Sequence, residues 1–126
     1  DNDLIWLSQK RGFGTEIDTI VSGDAQEMYQ LIKRLKKQTG PIDPALLDRI
    51  ADRIYYSQME SDGEMPDVLA HMCKLLAKTN NGKYKPVLLE VAEKAGHRGV
   101  RKHAQVSADA LPDPGADKYI PKAISN

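Results

Sequence analysis

Between residues 24 and 111, apolar residues recur at intervals of three and four, the spacing of amphipathic helices. The first pattern follows Asp24, which together with Glu27 three residues later has the acidic form of a helix start. It ends at Gly40-Pro41. Its inward positions are Ala25, Met28, Leu31, Ile32 and Leu35. This segment predicts the clearest amphipathic helix of the chain.

Three further helix patterns each have a proline in the first turn. Asp43-Pro44 supplies a cap and a first-turn proline for a second helix, which should end before Gly63. Pro66 opens a third helix, and the polar run Thr79-Asn80-Asn81-Gly82 closes it with residues that tolerate left-handed geometry. Pro86 opens the fourth.

A fifth pattern, Val100 to Leu111, is joined to the fourth by the tight link Gly96-His97-Arg98-Gly99. Two helices joined so briefly should fold back on each other. Pro112 and Pro114 then end helical structure. The pattern therefore predicts an all-α fold of about five helices stacked as antiparallel helical hairpins, a short solenoid-like domain.

The segment before the helices lacks a sustained period. We expect residues 1–23 to form a loop-rich leader that docks on the helices through Trp6 and Phe13, because large aromatic rings contribute much burial each. In the alternative, Trp6 is left exposed for a partner.

The segment after the helices, residues 112–126, predicts an irregular tail. It either lies along the helices through Tyr119 and Ile120 or remains mobile. At 126 residues the leader, the core over 24–111 and the tail fit one domain.

The net charge of the chain indicates little about its partners, but the distribution of charge along the sequence indicates more. Eighteen basic and eighteen acidic residues cancel, so no global charge favours nucleic acid or a membrane surface. Residues 43–67 carry seven acidic side chains against two basic ones, whereas residues 83–103 carry six basic ones against two acidic. This asymmetry would orient a charged partner, although solvated helix faces show it too.

Neither a membrane span nor a metal site is predicted. The longest apolar run near the start, Leu4-Ile5-Trp6-Leu7, is far shorter than the ~20 residues of a span, which favours a soluble protein. His71 and Cys73 would project about 200° apart on a helix, which disfavours a shared metal. The lone cysteine, Cys73, cannot form an intramolecular disulfide, and we predict that it is a core residue. We expect no cofactor.

The chain begins at Asp1 rather than Met, which we interpret as the removal of a preceding segment by signal cleavage or other processing. A single cysteine fits a cytoplasmic protein and one exported after leader removal almost equally well. The compartment is therefore left open.

The fifth helix opens with Val100-Arg101-Lys102-His103-Ala104. With this opening, the chain resembles HEAT-type or related armadillo-like helical repeats over residues 44–111. The segment Met65 to Leu76 matches Val100 to Leu111 in the spacing of its apolar positions, which adds to the resemblance. In the other repeat, Met65-Pro66 stands in place of Val-Arg. The resemblance implies a right-handed stack of helix pairs used chiefly for protein binding and, in some relatives, for nucleic-acid binding.

The favoured function is a non-catalytic scaffold that binds a protein or peptide. We call the side chains expected to make its polar contacts the predicted contact set: Lys94, His97, Arg98, Arg101, Lys102 and His103. Arginine suits this role because its planar fork of donors matches carboxylates and phosphates.

A second hypothesis is nucleic-acid or anion binding through the same basic helical face. It adds a second group of cations that would have to share one side of the fold: Lys33, Arg34, Lys36 and Lys37. Their position at a helix C-terminus also has a purely structural explanation, because cations there complement the helix dipole. An enzyme of unknown class ranks third and requires a deep pocket that joins His97 or His103 to an acidic residue.

Overall fold

The computed structural model of the protein describes residues 14–122. Within that range every regular element is helical, as the sequence predicts. The helices are α1 (Gly14–Ser22), α2 (Ala25–Lys36), α3 (Pro44–Ser57), α4 (Met65–Ala77), a 3₁₀ helix (Gly82–Tyr84), α5 (Lys85–Lys94) and α6 (Arg98–Asp109). None of the helices in this range is long and apolar enough to cross a membrane.

Helix α1 lies where the sequence predicts a loop-rich leader, so for residues 14–22 that prediction is wrong. Residues 14–122 contain six α-helices, whereas about five are predicted. Ile20 is fully buried and Ile17 packs partly against the core. Arg53 of α3 holds the end of α1 by donating hydrogen bonds to the carbonyl oxygens of Ile20 (2.9 Å) and Val21 (3.1 Å). Tertiary packing thus stabilises a helix too short to be stable by propensity.

The two predicted aromatic anchors of the leader, Trp6 and Phe13, lie outside the described residues.

The predicted helix starts at α2 and α3 are confirmed. At α2, Asp24 accepts a hydrogen bond from the backbone N–H of Glu27, whose carboxylate accepts one from Asp24 N–H, which completes a capping box. At α3, the Asp43 carboxylate accepts from Ala45 N–H and Pro44 is the first helical residue. Local sequence therefore sets both entry points.

Helix α6 begins two residues earlier than predicted. His97 acts as its N-cap, because its Nδ1 accepts a hydrogen bond from the backbone N–H of Gly99 (2.9 Å). The sequence pattern placed this boundary at Val100 because that is the first apolar position. A histidine is an unusual cap, which explains the error.

The extensive helix contacts follow a simple pattern. Each helix packs on its chain neighbour within the pairs α1 with α2, α3 with α4, and α5 with α6. It also packs on the helix two further along, so that α1, α3 and α5 touch in succession, as do α2, α4 and α6. The core lies between these two sets and contains Leu69, Met72, Leu88 and Val91 among its fully buried side chains.

Cys73 is confirmed as a core residue. It is fully buried, and burial raises the pKa of its thiol to about 12. The thiol is therefore protonated and unreactive at neutral pH.

Residues 110–122 leave the helical core and return across it without regular structure. Tyr119 donates a hydrogen bond from its hydroxyl to the buried carboxylate of Asp52 (2.8 Å), and Lys122 N–H donates to the same oxygen (2.9 Å). Lys83 O accepts from Tyr119 N–H (2.9 Å). Of the two side chains expected to dock the tail, Tyr119 does so, whereas Ile120 is 77 % exposed.

Candidate functional site

Part of the predicted contact set is already engaged by the fold. Arg101 donates from its guanidinium to the carbonyl oxygen of Ala95 (2.6 Å), which ties α6 to the end of α5. His97 caps α6, as described above. Lys94 is exposed and pairs with Glu90 one turn earlier, Nζ to Oε1 3.0 Å. These three side chains have structural partners before any ligand arrives.

The remaining members of the predicted contact set lie in different surroundings. Arg98 and Lys102 are exposed, and neither forms an ion pair or side-chain hydrogen bond with another residue in the range 14–122. His103 is half-buried and faces α4, where Lys74 lies close enough to lower its pKa. The fold therefore engages some of the six side chains in its own contacts and leaves Arg98 and Lys102 exposed.

A denser group of cations lies where α2, α4 and α6 meet. Four polar side chains follow one another along α4 and its C-terminal end at intervals of four, three and four residues, so they lie in one stripe on the helix surface. They are Asp67, His71, Lys74 and Lys78. Lys36 reaches this stripe from α2, and His103 from α6. We call Lys36, His71, Lys74, Lys78 and His103 the three-helix basic cluster.

One contact fixes the middle of the cluster. Lys36 Nζ lies 2.7 Å from His71 Nδ1. Because an ammonium group can only donate, Nδ1 accepts this hydrogen bond and the neutral imidazole carries its proton on Nε2. That nitrogen is 3.8 Å from the Asp67 carboxylate, and the Tyr29 ring lies beside the imidazole with centroids 5.7 Å apart.

The electrostatics show how crowded the positive charges are. Burial lowers the pKa of Lys36, and the nearby Lys74 and Lys78 lower it further. The pKa of His71 is lowered chiefly by burial and next by the charge of Lys36. For both groups Asp67 is the acidic neighbour that opposes the shift, and its side chain is 80 % exposed. The positive charges here are not neutralised by the fold, a condition that favours binding of an anion.

Where α2 packs on α4, one pocket lies at each end of the two helices, and the cluster lies along the surface that joins the pockets. We call this surface the cleft between α2 and α4. One pocket, of about 470 Å³, is lined by Ala25 and Tyr29 of α2 and by Glu64, Asp67 and Val68 at the start of α4. We call it the Tyr29 pocket. It brings together the beginnings of both helices.

The second pocket, of about 370 Å³, joins the ends of the same two helices. Its apolar walls include Leu35, Ile42 and Leu75, and Lys36 and Lys78 also line it. We call it the Leu75 pocket. Since the beginnings of α2 and α4 share one pocket and their ends share the other, the helices run in the same direction along the cleft. One end is acidic and the other is basic.

Most of this cleft was missed by reasoning from the sequence. In the sequence, Lys36 belongs to the cations of the nucleic-acid hypothesis and also has a helix-dipole explanation, whereas His71 is weighed only as a metal ligand. The stripe of polar side chains along α4 was a usable signal, but α4 was read mainly for its apolar face. Among residues 14–122 no group of three or more potential ligands is arranged to hold a metal ion.

Comparison with models of known protein families, with curated proteins and with solved structures finds no match to this chain.

Proposed function

We propose that this chain is a non-catalytic binding module of helical-repeat type that holds an acidic peptide segment of a protein in the cleft between α2 and α4. The observation that carries the proposal is the convergence of Lys36, His71 and Lys74 in that cleft, beside a pocket lined by both apolar and polar side chains. Interaction sites combine an apolar anchor with a few placed polar groups in this way.

The pattern of helix contacts supports the repeat architecture. Extensive contacts between chain neighbours and between helices two apart are expected of stacked helix pairs, in which each repeat packs mainly on the next. In this proposal α1 and α2 form the first pair, so the six α-helices of the described residues make a stack of three pairs. The basic cluster then lies on the layer formed by the second helix of each pair.

The charge gradient along the cleft supports one direction for the bound segment. Acidic side chains would lie over Lys36, Lys74 and Lys78, and a neighbouring apolar side chain would enter the Leu75 pocket. The end of the segment over Glu64 and Asp67 should be neutral or basic. Such complementarity of potential governs orientation and partner choice more than raw affinity.

An array of labelled peptides tests this proposal. Each peptide places two or three Asp or Glu residues at a different distance from a single Leu or Phe, and binding to the full chain is measured by fluorescence polarisation. We expect binding to require both the acidic pair and the adjacent apolar residue. Equal binding of peptides that lack the apolar residue would contradict the role of the Leu75 pocket.

Matched charge-reversal variants locate the surface. The variant Lys36→Glu/Lys74→Glu/Lys78→Glu should lose peptide binding. The control Lys94→Glu/Arg98→Glu/Lys102→Glu changes the net charge by the same amount and should bind normally. Both should keep their helical circular dichroism. If the control alone lost binding, the predicted contact set would be the binding surface.

Nucleic-acid binding is a second candidate, and one observation favours it. The hypothesis requires cations of α2 and α6 to share one side, and Lys36 and His103 both lie beside Lys74. Arg34 does not join them, because it pairs with Glu16 of α1 (2.9 Å). Salt separates the two candidates by degree, because binding of many phosphates along a strand weakens more steeply with ionic strength than binding of two or three carboxylates beside an apolar residue.

A further inference from the structure

The centre of the basic cluster has the form of a receptor for a compact dianion. Lys36 uses one ammonium proton on His71 Nδ1, which leaves two for a ligand. Lys74 lies one turn further along α4 on the same stripe, and His103 approaches it from α6. The donors therefore come from three helices, so the backbone positions that carry them are set by the packing of the core and not by a flexible loop.

The arrangement is electrostatically unfavourable without a ligand. Lys36, Lys74 and Lys78 repel one another, and Asp67, their acidic neighbour, is largely in solvent. A carboxylate offers one negative charge and two oxygens, whereas a phosphoryl group carries up to two charges and three strong acceptor oxygens. A phosphoryl group thus has enough acceptor oxygens for more than one of these donors at once, which a single carboxylate matches less well.

We propose that the three-helix basic cluster is a phosphoryl-binding subsite and that the segment bound in the cleft is a phosphorylated peptide. This inference rests on the proposed function only in naming the cleft as the docking surface. The phosphoryl group lies over Lys36, Lys74 and His103, and a neighbouring apolar side chain enters the Leu75 pocket.

Binding of this ligand should be coupled to proton uptake. His71 faces Tyr29 and Lys36 on α2, Asp67 and Lys74 on α4, and His103 on α6. Burial, followed by the charges of Lys36 and Lys74, lowers the pKa of His71, so the imidazole is neutral at neutral pH without a ligand.

His103 behaves in the same way. It faces Lys74 and Asp67 on α4 and lies next to Lys102 on its own helix, and its pKa is also lowered chiefly by burial. An anion bound near the two imidazoles reduces the local positive potential and raises both pKa values.

Nuclear magnetic resonance of the full chain tests the subsite directly. Inorganic phosphate is titrated against sodium chloride at matched ionic strength while the imidazole resonances are followed. We expect phosphate, but not chloride, to shift His71 and His103 and to raise their pKa values. His97, exposed at the start of α6, should not respond and serves as the internal reference. Equal responses of all three histidines, or none, would overturn the proposal.

Variants and small ligands extend the test. Each of Lys36→Gln and Lys74→Gln should weaken phosphate binding by about tenfold, the loss of one charge-assisted hydrogen bond. Lys94→Gln should leave it unchanged. N-acetylphosphoserine amide should bind and N-acetylserine amide should not. Comparable loss in all three variants would mean an unspecific response to net charge and would overturn the proposal.

The outcomes also separate this inference from the proposed function. Acidic peptides that bind equally well with serine or phosphoserine would overturn the phosphoryl subsite and leave the peptide-binding proposal standing. A phosphate response without binding of any phosphopeptide would support the subsite and overturn the peptide as its source. A single-stranded oligonucleotide that binds more tightly than the phosphopeptides, with a steep salt dependence, would replace the peptide by nucleic acid.

Discussion

The cations around the start of α6 and those of the three-helix basic cluster have similar side chains but different surroundings. At α6, Arg101 and His97 hydrogen-bond to backbone groups, and Lys94 pairs with a carboxylate. In the cluster, Lys36 instead contacts an imidazole, among other cations. The comparison teaches that a run of basic residues does not by itself show which charges stay available, because the fold gives partners to some of them and leaves others, such as Arg98 and Lys102, exposed.

The largest expected effect contrasts two neighbours on α6. Arg101→Ala removes the donor to the carbonyl oxygen of Ala95, so we expect the free energy of unfolding to fall by about 2 kcal/mol. Lys102→Ala, at an exposed position, should change it by less than about 0.5 kcal/mol. Urea unfolding measures both. Equal effects would show that Arg101 belongs with the solvated cations.

The next effect sharpens the description of the cluster. Lys74→Gln removes one of the charges that lower the pKa values of His71 and His103, so both pKa values should rise. The Lys94→Gln control should leave them unchanged. Titration of the imidazole resonances measures the shifts, and unchanged values in Lys74→Gln would mean that Lys74 does not act on either imidazole.

A pH dependence of stability follows from the same two histidines. Since their pKa values in the folded chain lie below the ordinary value of about 6.5, the unfolded chain binds these protons at higher pH than the folded chain. The free energy of unfolding should therefore be greatest above about pH 6.5 and fall as the pH drops through that value towards the folded pKa. Urea unfolding at several pH values should show this slope.

The double variant His71→Gln/His103→Gln is the control for that slope. It should lose part of the fall between about pH 7 and pH 5, whereas His97→Gln should keep it. An unchanged slope in the double variant would assign the fall to carboxylates.

The smallest effect is expected at the exposed ion pair of α5. Lys94→Ala should not change the urea midpoint measurably, because solvent and salt screen a pair of this kind. A measurable loss would show that Lys94 is held more firmly than its exposure indicates.

The helices themselves were largely predictable because their signals are local. Asp24 with Glu27 and Asp43 with Pro44 act within one turn, and the apolar spacing of the core residues directly reports which face is buried. The start of α6 was misplaced because its cap is a histidine. Helix α1 was missed because its stability comes from α3, including the two hydrogen bonds of Arg53.

By itself, the sequence determined that this chain is helical, where most of its helices begin, and which side chains form the core, because caps and apolar periodicity act over a few residues. Only the tertiary structure decided which charges are neutralised and which are crowded. Lys36 and His71 are separated by 34 intervening residues, and nothing local predicts that their nitrogens lie 2.7 Å apart. Their contact arises from the packing of α2 on α4, which depends on the whole core.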